Sequence, residues 1–151
     1  MKTLARDFRV LCIAAAAALF LSAGCSMAGM KNTDTGAIPG ATLTGAQEVP
    51  PTSTRASGNS TIEIGADKSV TGEVTVKGMT ATASHIHAGA KGVNGPVIIP
   101  LAKSADNTFM VPPNTQLTDE QYKHYQEGNL YVNVHSAAHP GGEIRTQLIP
   151  K

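Results

Sequence analysis

Three observations predict an all-β fold, an antiparallel sandwich or barrel with one short helix. From residue 41 onward, short stretches alternate apolar and polar residues, the period of strands with one face buried. Turn formers separate these stretches, with 15 Gly and 9 Pro in the chain, and such residues close strands rather than continue helices. Thr and Val are frequent, and both fit a pleated surface better than a helix.

The elements follow in order. Ala41 to Val49 is expected as a first strand, stopped by Pro50 and Pro51. Ser60 to Ile64 alternates, with Ile62 and Ile64 on one side, and Val70 to Val76 alternates again. Ala83 to Ala88 is a short strand carrying two histidines. Pro96 to Leu101 is apolar throughout, the pattern of a strand covered on both faces. Asn107 to Val111 is another strand, ended by Pro112 and Pro113. Thr118 to Gln126 is the single helical signal: Thr118 and Gln121 form a capping box, Asp119 and Glu120 suit the first turn, and Gly128 stops it. Leu130 to Ser136 and Glu143 to Ile149 are the last strands, joined by the turn-rich AAHPGG. Many short strands at close spacing indicate a sandwich or barrel.

The chain begins with a different kind of segment. Lys2, Arg6 and Arg9 precede an apolar run, Val10 to Leu21, of 12 residues. That is the length of a signal-peptide core and too short to span a bilayer. Leu21-Ser22-Ala23-Gly24-Cys25 follows, small residues before a Cys, as in a lipobox, although Leu21 stands one position further from the Cys than is usual. Residues 1–24 are therefore expected as a lipoprotein signal peptide, with Cys25 as the lipidation site carrying palmitate-type chains. The only other cysteine, Cys12, lies in the leader, so the mature domain has no disulfide to make. Ser26 follows Cys25, where an Asp would signal retention, and this favours an outer-membrane anchor facing the periplasm or the cell surface. Residues 25–40 form a polar, aperiodic tether with a reach of about 20 Å, and 41–151 form the folded domain.

Composition narrows the partners. The formal charge is +1, and the three cations and one anion of the leader account for more than all of it. The mature chain has no basic excess and no Trp, which argues against nucleic acid as a ligand. The expected partners are a membrane, through the lipid on Cys25, and a metal ion.

Strand alternation places the histidines. In Ser84-His85-Ile86-His87 both histidines share one face and Ile86 takes the other. In Tyr131-Val132-Asn133-Val134-His135 the valines face the core, leaving His135 with Asn133 and Tyr131 on the polar face. If these strands are neighbours, His85, His87 and His135 converge. Imidazole nitrogen suits copper or zinc, and three protein ligands leave an open coordination position. A lone histidine is more often structural; a same-face pair with a third is not the usual surface pattern. Glu143 and Arg145 share a face and are expected either to support the histidines from behind or to pair with each other on the sheet surface. His139 is read as a turn residue, His124 as solvated, and Met79 and Met110 as core filling.

ATLTGAQEVPP at Ala41 to Pro51, SHIHAGAKGVNGPVIIPL at Ser84 to Leu101 and YVNVHSAAHPGGEIRTQL at Tyr131 to Leu148 resemble the CHRD domain, first described in chordin and widespread in exported bacterial proteins. Thr146 departs from the family pattern, which has Gly there. The resemblance implies an all-β sandwich and no particular activity. The His-x-His strand is also similar to the copper-ligand strand of Cu/Zn superoxide dismutases, which are Greek-key barrels, so the implied architecture is superoxide dismutase-like. The dismutase disulfide and zinc loop have no counterpart here.

Three functional readings follow: a membrane-anchored binding module holding copper or zinc; a copper-only, superoxide dismutase-like enzyme in which Arg145 draws a small anion to the open position; and a non-catalytic extracellular interaction or matrix protein. The first is favoured, without catalysis.

Overall fold

The computed structural model describes residues 40–150. The expected leader at 1–24, Cys25 and the tether up to residue 39 lie outside the described residues. Eleven strands, one α-helix and one 3-10 turn follow in chain order: β1 (Ala41–Thr44), the 3-10 turn (Gly45–Gln47), β2 (Ser57–Ser60), β3 (Glu63–Ile64), β4 (Val70–Thr71), β5 (Glu73–Lys77), β6 (Ala81–Ala88), β7 (Val97–Pro100), β8 (Ala102–Ala105), β9 (Thr108–Met110), α1 (Asp119–Gln126), β10 (Leu130–Ser136) and β11 (Ile144–Leu148).

Nine strands form one antiparallel sheet in the order β7-β6-β10-β11-β1-β2-β5-β9-β8, while β3 and β4 make a separate hairpin. The two ends of that sheet are one piece of chain, because only Leu101 stands between β7 and β8. The segment leaves β6 and joins β9, so the sheet curls into a nearly closed barrel. The connections from β5 to β6 and from β9 to β10 skip over neighbours, which makes the path a Greek key.

The core lies inside this barrel. Leu43, Val74, Ile86, Leu130, Val132, Val134 and Ile144 are fully buried, with Val70 and Phe109 nearly so. Burying each such side chain contributes about 1.5–3 kcal/mol. Alternation on β6 and β10 sends Ile86, Val132 and Val134 inward, as their sequence pattern predicts. Thr146, opposite Val132, is buried as well.

The helix is the element closest to expectation. Thr118 accepts from the Gln121 backbone N–H, and the Gln121 side chain accepts from the Thr118 N–H. An ion pair from Lys68 to Asp119 ties its start to the β3–β4 hairpin.

Several boundaries differ from expectation. The first strand ends at Thr44 rather than Val49, because the chain turns at Gly45 so that its carbonyl accepts from both Glu48 and Thr52. The expected strand at 60–64 divides, since the Thr61 N–H donates to Glu73 O. The strand at 70–76 breaks at Gly72, whose φ is +108°. Pro96 to Leu101, expected to be covered on both faces, is instead an end strand: Val97 is 48 % exposed and Pro100 is exposed. Its prolines lack the N–H that a central strand would need. β8 has no apolar alternation and all its residues are exposed; it forms because pairing with β9 completes the barrel.

Candidate metal centre

Strands β6, β10 and β11 are neighbours, and their register sets out a grid on the face turned away from the core. Ala83 stands opposite His135, His85 opposite Asn133, and His87 opposite Tyr131. On the other side of β10, Asn133 faces Arg145 and Tyr131 faces Gln147. Asn133 is thus bordered by all three histidines.

The three rings meet. One ring nitrogen from each of His85, His87 and His135 lies within 4.8 Å of those of the other two, the one such His/Cys/Asp/Glu group of three or more among the described residues. His85 Nδ1 and His135 Nε2 are 2.9 Å apart. Nitrogens about 2.0–2.1 Å from one metal stand at most about 4.2 Å apart, so the rings must close inside their 4.8 Å spread to share an ion.

Backbone carbonyls set two of the rings. His87 Nδ1 donates to Gly95 O at 2.9 Å, and His135 Nδ1 donates to Pro140 O at 3.0 Å. A carbonyl only accepts, so in each neutral ring the proton sits on Nδ1 and Nε2 offers its lone pair. That is how protein metal sites prepare histidine ligands. Burial holds the His85 ring below the ordinary histidine range, and the neighbouring His135 and His87 rings push it the same way. Burial likewise lowers His135, against the Pro140 hydrogen bond and with help from His87. Both rings therefore stay uncharged at neutral pH, the state that binds metal.

This face is not the solvated surface that alternation alone implies. His87 is only 7 % exposed, and Tyr131, Asn133, Glu143 and Arg145 are buried. The loop from Gly89 to Pro96 covers it. Tyr131 OH accepts from the Gly95 N–H at 3.2 Å, and a side chain on Gly95 would run into the Ala88 carbonyl, 1.6 Å from its Cβ position. Only glycine lets the loop come this close.

Arg145 departs furthest from expectation. It neither pairs with Glu143 nor reaches solvent; it is 1 % exposed. Its guanidinium lies 3.3 Å above the Tyr131 ring, and that ring stacks on His87 at 4.7 Å between centroids with planes 6° apart. Nη2 donates to Ala90 O and Val93 O, each at 3.1 Å. The cation clamps the covering loop and backs His87 through Tyr131. It is not placed to draw an anion in from solvent.

Glu143 also acts away from the histidines. It accepts from Thr54 Oγ1 at 2.6 Å and from Ser136 Oγ. Burial raises its carboxyl, but these two hydrogen bonds and the nearby His139 outweigh that, so it is lowered overall. It ties the Thr52–Thr54 segment to the AAHPGG turn. His139 and His124 stand outside the cluster; Met79 packs on the core, whereas Met110, expected there, is 46 % exposed.

Sequence reasoning missed Glu48 and the roles of Asn133 and Tyr131. Glu48 is 4 % exposed, and its Oε1 is buried without a hydrogen-bond partner. Burial raises its carboxyl, opposed by the Val49 N–H, the Arg145 charge and the Asn133 amide. A Cβ on Gly142 would lie 2.6 Å from Glu48 Oε1 and 2.8 Å from Asn133 Nδ2, so this glycine leaves room for carboxylate and amide to adjoin. Tyr131 and Asn133 already fell on the histidine face by alternation; Glu48, in the Gly-Ala-Gln-Glu-Val-Pro-Pro stretch, carries no local signal.

The GAQEVPP, SHIHAGAKG and HPGGEIR stretches, far apart in the chain, thus build one buried polar layer, and the family model for the CHRD domain matches residues 40–148. The chain belongs to the CHRD domain family. No curated protein and no solved structure matches it. The CHRD match spans every described strand, so the histidine cluster and its covering loop lie wholly within the domain.

Proposed function

We propose that this CHRD protein is an exported, membrane-anchored binding module that holds copper or zinc through His85, His87 and His135. The observation that carries the reading is the fixed tautomer of two rings beside a third: Gly95 O and Pro140 O engage Nδ1 of His87 and His135, leaving their Nε2 atoms to face the cluster. The dismutase-like alternative relied on Arg145 as an exposed cation beside an open position. With that guanidinium buried under the loop, binding is the better reading.

The test is metal titration of the full chain, with Cys12 and Cys25 replaced by serine so that thiols do not compete. One equivalent of Cu(II) or Zn(II) should bind, and His85→Ala/His87→Ala should lose at least about 100-fold in affinity, since one ligand remains. Equal binding by both proteins sinks the metal reading.

Anchoring rests on the sequence: the charged, apolar and small-residue pattern before Cys25, and the membrane affinity that several acyl chains supply. In cells fed labelled palmitate, the wild-type protein should carry label and sediment with membranes, and Cys25→Ser should do neither. Label retained by Cys25→Ser removes the anchor from that residue.

A further inference from the structure

We infer that the side-chain amide oxygen of Asn133 is a fourth donor to the metal, so that the site is an N3O set rather than three imidazoles alone. The inference rests on the histidine reading above and extends it to metal selectivity.

Asn133 Oδ1 lies 3.0 Å from His87 Nε2. In the neutral ring His87 carries its proton on Nδ1, which donates to Gly95 O. Nε2 and Oδ1 then meet as two lone-pair acceptors, an arrangement that a shared cation stabilises. Donors about 2.0–2.2 Å from one metal stand roughly 2.8–3.4 Å from each other in square or tetrahedral geometry. His85 Nδ1 donates to His135 Nε2 at 2.9 Å, the same spacing, and a metal would take the place of that proton. The four atoms therefore form two donor pairs, each already at coordination distance, on adjacent positions of one sheet face.

The amide has little freedom to turn the other way. Asn133 Nδ2 and Glu48 Oε1 both lie within 3 Å of the Gly142 Cβ position, and the Asn133 amide acts on the Glu48 carboxyl in the sense that favours its charge. A carboxylate attracts the positive end of an amide dipole, its NH2, and repels the amide oxygen. Glu48 is thus a positioning residue: it keeps Nδ2 on its own side and Oδ1 towards His87. The backbone holds the amide as firmly, since Asn133 is central in β10 and paired on both sides, to His85 and to Arg145. Burial of Asn133 at 2 % exposure excludes the water that would otherwise compete for the position.

The chemical consequence is a preference. Amide oxygen is a hard donor that completes the N,O sets of Cu(II) and is accepted by borderline Zn(II), while Cu(I) favours soft sulfur. Asn133→Ala should therefore weaken Zn(II) and Cu(II) by about 10- to 100-fold and leave Cu(I) within about twofold.

The experiment uses the full chain with both cysteines replaced by serine, titrated with Cu(II), Zn(II) and Cu(I), beside Asn133→Ala and His85→Ala/His87→Ala. It adds pulsed EPR on Cu(II)-loaded protein labelled with carbon-13 only in asparagine, which reads the donor set in the unmutated site even if Asn133→Ala fails to fold. A carbon-13 coupling of a directly bound amide, with loss of Zn(II) and Cu(II) but not Cu(I) affinity in Asn133→Ala, is the expected result. Copper bound at the histidines without that coupling overturns the fourth donor and leaves the histidine site standing. Binding no tighter than in the double-histidine variant overturns the histidine reading, and this one with it.

Discussion

The two faces of strands β6, β10 and β11 are both buried, by opposite means. Inward, Ile86, Val132, Val134 and Ile144 pack into an apolar core. Outward, His87, Tyr131, Asn133 and Arg145 are nearly as buried, but under loops held by hydrogen bonds to Gly95, Ala90 and Val93. The inner face needs only apolar surface of the right volume. The outer face needs every donor matched, because an unpaired buried polar group costs about 1–3 kcal/mol. A barrel of this size would fold with a solvated outer face. Covering it creates a buried polar layer, with His87 inside it and His85 and His135 half-buried at its edge.

Substitutions on the two faces should separate stability from binding. Ile144→Ala removes core volume and should cost about 2–5 kcal/mol in denaturant unfolding, with metal affinity unchanged in the protein that remains folded. Arg145→Met keeps the bulk but strands the Ala90 and Val93 carbonyls. It should cost less, about 2 kcal/mol, yet release the covering loop, seen as faster hydrogen exchange across residues 89–96. Equal exchange in both variants would show that the guanidinium does not hold the loop.

Mild acid, near pH 6, should act through the outer-face histidines, with the smallest effect. The folded-state values of His85 and His135 are depressed by burial, while the unfolded chain takes up protons at the ordinary 6.5. The unfolded state then binds more protons as pH falls below that value, so stability is full above about pH 6.5 and declines towards the folded values. His85→Ala/His87→Ala should flatten this decline. Metal affinity should fall over the same acid window, because bound rings must be uncharged. A pH-independent affinity between 7 and 5 contradicts imidazole ligation.

The comparison also explains what could be read from residues alone. Side-chain alternation assigned Ile86 and the valines to one face and all three histidines to the other, because a strand's period is a local property. The helix was legible for the same reason: Thr118 and Gln121 are three residues apart. What covers the outer face is not local. Gly89–Pro96 folds back over β10 and β11 from more than thirty residues away, so Arg145 read as a surface charge when it is among the most buried side chains. Glu48 reaches Asn133 across an even longer separation. Pro96 to Leu101 misled because its apolar run resembles a central strand, while its two prolines belong to an end strand.

The short link at Leu101 also bears on self-association. Since one segment serves both ends of the nine-stranded sheet, the exposed sheet margins are only four residues long, Val97–Pro100 and Ala102–Ala105. One contains Pro100, which has no N–H to offer, and the other carries Lys103. Long open margins are templates for strand addition between copies, and short ones with proline or lysine resist it. Many such domains packed side by side should stay separate, each presenting its own histidine cluster instead of merging into a shared sheet.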